Sequence, residues 1–253
     1  MGDSDKRRIK TAVRVFDIVE TIREHQGATL TDISKALDIP KSTLHAYLST
    51  LEELEYVDRT DDEYDLALRF FDLGSYTRNR VEMLPHAERV LKELAQECRE
   101  VTWLAVEDRG EVLYVATEQH SQPAWTRMKV GMRQHMHCSA AGKAILAFLP
   151  DERVSDIIDQ HGLSQNTERT ITDQDELHEE LSRVQEHGYA VNKQETAEGI
   201  HAIGAPVLVN GTVFGAVTVS GPANRLNVDT PREEIVRLVS GASDEIGLNI
   251  KHG

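Results

Sequence analysis

Leu30-Thr31-Asp32-Ile33-Ser34-Lys35-Ala36-Leu37, then Asp38-Ile39-Pro40, then Lys41-Ser42-Thr43-Leu44-His45-Ala46-Tyr47-Leu48-Ser49-Thr50-Leu51 form the stretch whose reading decides the fold. Two apolar-periodic runs flank a tight break, and residues 28–66 together read as a helix-turn-helix followed by a two-stranded wing. In the second run Leu44, Tyr47, Leu48 and Leu51 stand at i, i+3, i+4 and i+7 and predict a buried stripe. Ser42, His45, Ala46 and Ser49 fall on the other side, a small polar surface nearly free of acid. A merely solvated helix face in so acidic a chain would carry carboxylates. A face that lies against phosphates and base edges would not.

Outward from this stretch, residues 11–24 have the period of an amphipathic helix with Val13, Phe16, Val19 and Ile22 inward, ended at Gln26-Gly27. The second helix of the pair is expected over 41–54, opened by Pro40 where a missing N–H is tolerated. Tyr56–Arg59 and Tyr64–Leu66 alternate as a hairpin through Thr60-Asp61-Asp62-Glu63, which is the wing. A connecting helix is expected over 67–80 with Leu68, Phe71 and Leu73 apolar; Pro85 should then break or kink the path before helix resumes over 86–99. The expected organisation is a winged helix-turn-helix domain over 1–66, a linker helix over 67–84 and a second domain over 85–253.

The second domain alternates strands and helices. Thr102–Glu107 and Val112–Thr117 should pair across Asp108-Arg109-Gly110. Helices are expected over Ser139–Leu149 and Asp151–Gln160, with a third capped by Thr172 and ended after His187 by Gly188. Ile203–Val209 and Val213–Ser220 should join through Asn210-Gly211, a two-residue hairpin signal that also accounts for the glycosylation-like Asn210-Gly211-Thr212. A last helix runs from Pro231 to about Ile250. Hairpin-linked strands imply a largely antiparallel sheet with helices packed on it, an α+β chain.

The chain has 253 residues and a net charge of −15, from 28 basic and 43 acidic residues. Residues 1–84 hold 12 Lys/Arg against 17 Asp/Glu and residues 85–253 hold 16 against 26, so both halves are acidic. With only 9 lysines against 19 arginines, the composition resembles that of proteins from salt-rich cytosols, where surface charge maintains solubility; the competing reading is an ordinary acidic mesophile protein. At high salt, counterion release adds little to DNA affinity, so base contacts and paired placement must carry more. No apolar run is long enough to span a membrane, no signal peptide is evident, and two cysteines are too few for a disulfide framework. A cytoplasmic protein is expected, with no membrane partner and no cofactor.

Short motifs follow one another at consistent spacing along residues 9–250: Ile9-Lys10-Thr11-Ala12, Pro40-Lys41-Ser42-Thr43, Gly142-Lys143-Ala144 with Leu146-Ala147, and Gly162-Leu163. His187-Gly188-Tyr189-Ala190, Glu198-Gly199-Ile200, Ala205-Pro206-Val207 and Val219-Ser220-Gly221-Pro222 continue the series. In this order the chain resembles the IclR family of transcription regulators. The resemblance implies a winged helix-turn-helix joined to a C-terminal α/β effector-binding domain related to GAF and profilin shapes. It also implies double-stranded DNA and a small-molecule effector as partners, and assembly as a homodimer or homotetramer that regulates a catabolic operon.

On the recognition helix, Lys41, Ser42 and Thr43 can offer N–H groups and hydroxyls to phosphate. His45 and Ser49 can reach base edges, and Ala46 can meet a thymine methyl. Ser42 and Thr43 could equally be no more than caps. Arg59 is the only base of an acidic wing. Relatives often carry Arg where Ala46 stands and Gly where Glu55 stands, which puts the DNA sequence read in question rather than the mode. The resemblance places the effector among Ala141, Gly142, Asn192, Ala202, Thr218 and Ser220, with Trp125 and Met128 as wall. An organic acid or sugar acid suits such a site. Asn192 stands where an acid is common in the family and Ala202 where some members have a thiol. Gly142 and the alanines could instead serve only close packing.

Gly142-Lys143 is not a phosphate loop, because the pattern needs Gly at His137 and Ser or Thr at Ala144. His135, His137 and Cys138, with His201 as a possible neighbour, read as a local cluster rather than a metal site, since no Cys-x-x-Cys or His-Glu-x-x-His supports them. No nucleophile elbow or carboxylate pair is present, so no catalytic residue is assigned. The competing reading is a sensor acting through protein partners, with the helix-turn-helix used for dimerisation.

Overall fold

The computed structural model describes residues 8–120, 128–226 and 233–252. The chain divides into two compact units between Arg80 and Val81.

The first unit runs α1 (Lys10–His25), β1 (Ala28–Thr29), α2 (Leu30–Leu37), α3 (Lys41–Glu53), β2 (Val57–Thr60), β3 (Glu63–Leu66) and α4 (Arg69–Arg78). A capping box starts α2: Asp32 N–H donates to Thr29 Oγ1 at 3.2 Å, and Thr29 N–H donates back to Asp32 Oδ2 at 3.3 Å. Asp38, at φ 50°, takes the left-handed turn between α2 and α3, a conformation its short polar side chain tolerates. Ile18, Ile22, Ile33, Leu44, Leu48 and Leu51 form the core with Val57 and Tyr64 of the wing. The strand order is β1-β3-β2, so a two-residue strand before α2 completes the wing hairpin.

Two expectations about this region change, and one flank is left bare. Val13 and Phe16 are not inward; they are 40% and 64% exposed, and α1 packs through Ile18, Val19 and Ile22. The apolar sector of α1 is wider than one small core can cover. Tyr47 is half-buried beside the fully buried Leu44 and Leu48. Leu68 and Phe71, at 84% and 74% exposed, leave α4 with an uncovered apolar flank.

The second unit runs α5 (Leu84–Cys98), β4 (Val101–Asp108), β5 (Glu111–Gln119), β6 (Arg133–His135), α6 (Ala140–Leu146), α7 (Asp151–His161), α8 (Gln174–His187), β7 (Ala190–Lys193), β8 (Ile200–Val209), β9 (Thr212–Pro222) and α9 (Glu233–His252). Pro85 does not break a helix; it lies in the first turn of α5, where its missing N–H costs nothing. Asp173, not Thr172, caps α8, accepting from the N–H groups of Asp175 and Glu176. Six antiparallel strands lie in the order β6-β5-β4-β9-β8-β7. The β4–β5 turn at Arg109-Gly110 and the β8–β9 turn at Asn210-Gly211 both have two successive positive φ angles, as the expected hairpins require. Helices α5 and α9 cover one sheet face through Leu91, Leu94, Val239 and Ile246. The other face carries Trp103, Ala105 and Ala216, covered by α6, α7 and α8. Gly204 lets α6 approach β8: a Cβ there would lie 2.9 Å from the Ala140 carbonyl oxygen. No helix among the described residues is long and apolar enough to cross a membrane.

Candidate functional site

On the first unit, the outer face of α3 is open. Lys41, Ser42, Thr43, His45, Ala46 and Ser49 are all exposed, while Leu44, Leu48 and Leu51 hold the helix to the core. Pro40 is the N-cap and no side chain caps the helix, so Ser42 and Thr43 do not serve as its cap. The Thr43 and Leu44 N–H groups both donate to the Pro40 carbonyl at 3.0 Å, which leaves the Lys41 and Ser42 amides to an outside acceptor, and the helix dipole favours an anion there. Lys41 Nζ donates to Thr31 Oγ1 at 2.8 Å, which holds its charge at the start of α3. Ser49 Oγ lies 3.5 Å from His45 Nδ1, so these two side chains share one patch one turn apart. Arg59 is folded over the wing: Nε donates to the Asp61 carbonyl at 3.0 Å, and the guanidinium lies 5.5 Å from the centre of the Tyr64 ring.

On the second unit, Met128, Ala141, Asn192, Ala202, Thr218 and Ser220 line one narrow cavity of about 30 Å³ between the sheet and α6. Gly142 does not line it. A Cβ on Gly142 would run into the backbone of Met136, so this residue serves the close packing of α6. Trp125 lies outside the described residues.

The cavity also takes Trp103, Tyr114, Gln134, Ser139 and Thr196, which were not read from the sequence as lining. Trp103 and Tyr114 were within reach of sequence reasoning, because each sits on an expected strand whose alternation gives it a sheet face. Gln134 and Thr196 were not, because β6 and the turn after β7 have no pattern to read. These side chains form a connected set. Trp103 Nε1 donates to Ser220 Oγ at 3.0 Å, and the Tyr114 hydroxyl donates to Gln134 Oε1 at 2.8 Å. The Trp103 and Tyr114 rings meet edge to face at 5.4 Å. Burial pushes the Tyr114 phenol up from its ordinary value, so it stays a neutral donor. Gly142 N–H is already taken by Ser139 Oγ at 3.0 Å. Among the described lining residues none is Lys or Arg, so hydroxyls, amides and two aromatic rings set what the cavity can hold.

One wall is fixed by a buried ion cluster. Lys143 Nζ donates to Glu195 Oε1 and Oε2 at 2.8 and 2.9 Å and to Glu180 Oε1 at 3.1 Å. Glu195 N–H donates to Asn192 Oδ1 at 2.8 Å, and Asn192 Nδ2 donates to Thr196 Oγ1 at 2.7 Å. The two polar side chains that reach the cavity from the 192–196 turn are therefore anchored through Glu195 to the helix opposite.

Of the residues expected as a local cluster, His135 and His137 have ring centres 5.7 Å apart and Cys138 Sγ donates to the His135 carbonyl at 3.6 Å, but His137, Cys138 and His201 each also have a partner outside the cluster. His137 Nε2 lies 3.1 Å from the Ser164 carbonyl, and Cys138 Sγ accepts from Asn166 Nδ2 at 3.3 Å. Burial pushes the Cys138 thiol up to about 12, which keeps it protonated and weakly nucleophilic. His201 Nδ1 is engaged with the Leu226 carbonyl at 2.7 Å.

Two family models match the chain: the IclR helix-turn-helix domain over residues 11–61 and the bacterial transcriptional regulator IclR C-terminal domain over residues 76–248. Over 255 residues the chain is 31% identical to a probable HTH-type transcriptional regulator, ArcR, of Halobacterium salinarum, covering 99% of this chain and 97% of that protein. The Thermotoga maritima IclR crystal structure superposes with a TM-score of 0.82 at 26% identity, covering 96% of this chain and 99% of that one. An IclR homolog from Microbacterium hydrocarbonoxydans, crystallised in complex with 4-hydroxybenzoate, superposes with a TM-score of 0.79 at 25% identity, covering 96% and 99%.

Proposed function

The chain belongs to the IclR family of transcriptional regulators, and on that membership we propose that it binds a near-palindromic operator of a catabolic operon as a dimer or dimer of dimers, under control of a small organic acid or sugar-derived effector. The observation that carries the DNA half of this reading is the α3 face. It is uncapped at its N-terminus and exposes Lys41, Ser42, Thr43, His45, Ala46 and Ser49 with no carboxylate before Glu52. Two copies of α3 would enter successive major grooves, with Arg59 of each wing turned to the backbone. The exposed apolar residues Val13 and Phe16 of α1 and Leu68, Phe71 and Tyr76 at α4 support self-association through the first unit, since side chains of this size in water mark an interface.

The effector reading rests on the cavity. Trp103 and Tyr114 offer ring surface, and Asn192, Thr196, Thr218 and Ser220 offer hydroxyl and amide groups. That chemistry suits a small hydroxylated or aromatic acid held by neutral donors, and a homolog of similar fold is complexed with 4-hydroxybenzoate. At about 30 Å³ the cavity must widen on binding. An effector that favours the widened form shifts the protein between DNA-bound and free arrangements by its differential affinity. The acidic composition, shared with no basic patch on the wing, supports operation at high salt.

Gel shifts on the DNA upstream of its own gene, over a range of salt concentrations, test the first half. Sequence-specific retardation with a shallow salt slope is expected, and no specific shift at any salt refutes it. Thermal shift against sugar acids, keto acids and aromatic acids tests the second; an unchanged melting temperature with every one refutes the small-acid effector.

A further inference from the structure

We propose that Glu111, His135 and His161 bind a divalent transition-metal cation of the zinc type at the β5–β6 edge of the second unit. Each side chain offers one ligand atom, and the three atoms lie within 4.8 Å of one another. They arrive from three directions. Glu111 opens β5 and stands opposite His135 of β6 in register, while His161 closes α7.

Both histidines carry marks of a ligand. His135 Nδ1 is buried with no hydrogen-bond partner. An orphaned buried nitrogen costs free energy, and a metal bond relieves it. His161 Nε2 lies 2.8 Å from the Arg109 carbonyl oxygen. That contact places the proton of the neutral ring on Nε2 and leaves the Nδ1 lone pair for a metal, the way protein carbonyls commonly orient metal-bound imidazoles. Gly110 makes room for this ring, since a Cβ there would lie 2.6 Å from Nε2.

Two imidazoles and one carboxylate form a three-ligand set that suits zinc, with a further position open to water. Arg133 lies 3.5 Å from Glu111, but it is also held by the side chain and carbonyl of Asp108. Glu111 can therefore turn to a cation without stranding the arginine. The set differs from the His135-His137-Cys138 run, whose second and third members are engaged elsewhere. A bound cation would tie the sheet edge to the end of α7. Its effect would reach the cavity through β6, because Gln134, next to His135, lines that cavity from the other strand face.

The test uses full-length, tag-free protein stripped with a chelator, then titrated with Zn²⁺ by calorimetry and with Co²⁺ by visible absorption. One equivalent per chain is expected, with the Co²⁺ bands of a four- or five-coordinate nitrogen–oxygen site. His135→Gln, His161→Gln and Glu111→Gln should each weaken binding at least about tenfold, while His178→Gln, at an exposed position of α8, leaves it unchanged. Circular dichroism checks each fold, and the partly exposed Glu111→Gln retains the test should a histidine variant unfold. Absence of stoichiometric uptake overturns the site, as does uptake that survives the substitutions at Glu111, His135 and His161.

Discussion

Replacing Lys143 by methionine removes the cation from the most deeply buried ion cluster described above. The lysine side chain is 1% exposed and that of Glu195 is 5% exposed. Glu180 keeps Arg183 at 3.0 Å, so only Glu195 is left with a stranded charge. Breaking a buried pair from one side costs about 3–5 kcal/mol. At about 1.4 kcal/mol per decade, the folded-to-unfolded ratio falls by roughly two to three and a half orders of magnitude. With a urea slope of about 2 kcal/mol per molar, the midpoint drops by roughly 1.5–2.5 M. Both tryptophans of the chain, 103 and 125, follow the division at Arg80, so their fluorescence reports the second unit alone. Lys143→Met/Glu195→Met should recover most of the loss, because an apolar pair of similar volume fills the space without a charge. The deficit should also depend on pH. Burial pushes the Glu195 carboxyl up from its ordinary value against the pull of Lys143, and without the lysine it rises further. A carboxyl raised in the folded state contributes its stability when protonated and loses it as pH climbs through the folded value. The Lys143→Met deficit should therefore widen as pH rises past the value of Glu195 in the intact cluster, which already lies above that of an ordinary carboxyl. A cost below about 1 kcal/mol, or a double variant as unstable as the two single losses added, would refute the reasoning.

Four further outcomes are expected. Ser49→Glu places a carboxylate on the outer face of α3 and should weaken operator binding at least about tenfold in gel shifts, with unchanged circular dichroism; full affinity would remove α3 from the interface. Gly142→Ala forces α6 off the Met136 backbone and should cost about 1–3 kcal/mol in the tryptophan-reported transition, whereas a neutral result would mean the helix can slide. Burial holds His137 below its ordinary value of 6.5, so the unfolded chain takes up the proton first; stability of the second unit should fall as pH drops below that value, and His137→Gln should flatten the slope. Phe71→Asp, on the exposed flank of α4, should lower the mass measured by light scattering, and an unchanged mass would exclude that flank from self-association.

The helix pair was legible in the sequence because Leu44, Leu48 and Leu51 recur with the helical period and Asp38-Ile39-Pro40 leaves few conformations between the helices. The β8–β9 hairpin was legible because Asn210-Gly211 satisfies backbone angles that few residue pairs tolerate, and the β4–β5 hairpin because Asp108-Arg109-Gly110 makes a short glycine-closed break between two alternating runs. β6 and β7 were not, because strands of three and four residues at sheet edges present too little alternation to separate from loop. Phe16 and Val13 misled because an apolar residue on a helix carries no mark of whether it faces its own core or another surface. Gln134, Thr196 and the Glu111–His135–His161 group were invisible for a related reason. Gln134 and the Glu111–His135–His161 group meet partners distant along the chain, and Thr196 lies in a turn without alternation, so no local pattern encodes any of them.

The strand order has a consequence for the order of assembly. β4, the first strand of the second unit, pairs with β9, the last, so that Val101 stands opposite Ser220 in the middle of the sheet. The helix pair and wing of the first unit, by contrast, are completed by contacts close together in sequence. During synthesis the winged helix can reach its native form while the ribosome is still adding the second unit. The central pairing of the sheet must wait for the last strand, with β5 and β8 able to form only their local hairpins in the meantime. Refolding of the isolated events should show the same separation, a fast local phase in the first unit and a slower non-local one reported by Trp103. The nascent protein would then hold a formed helix-turn-helix before its C-terminal unit exists.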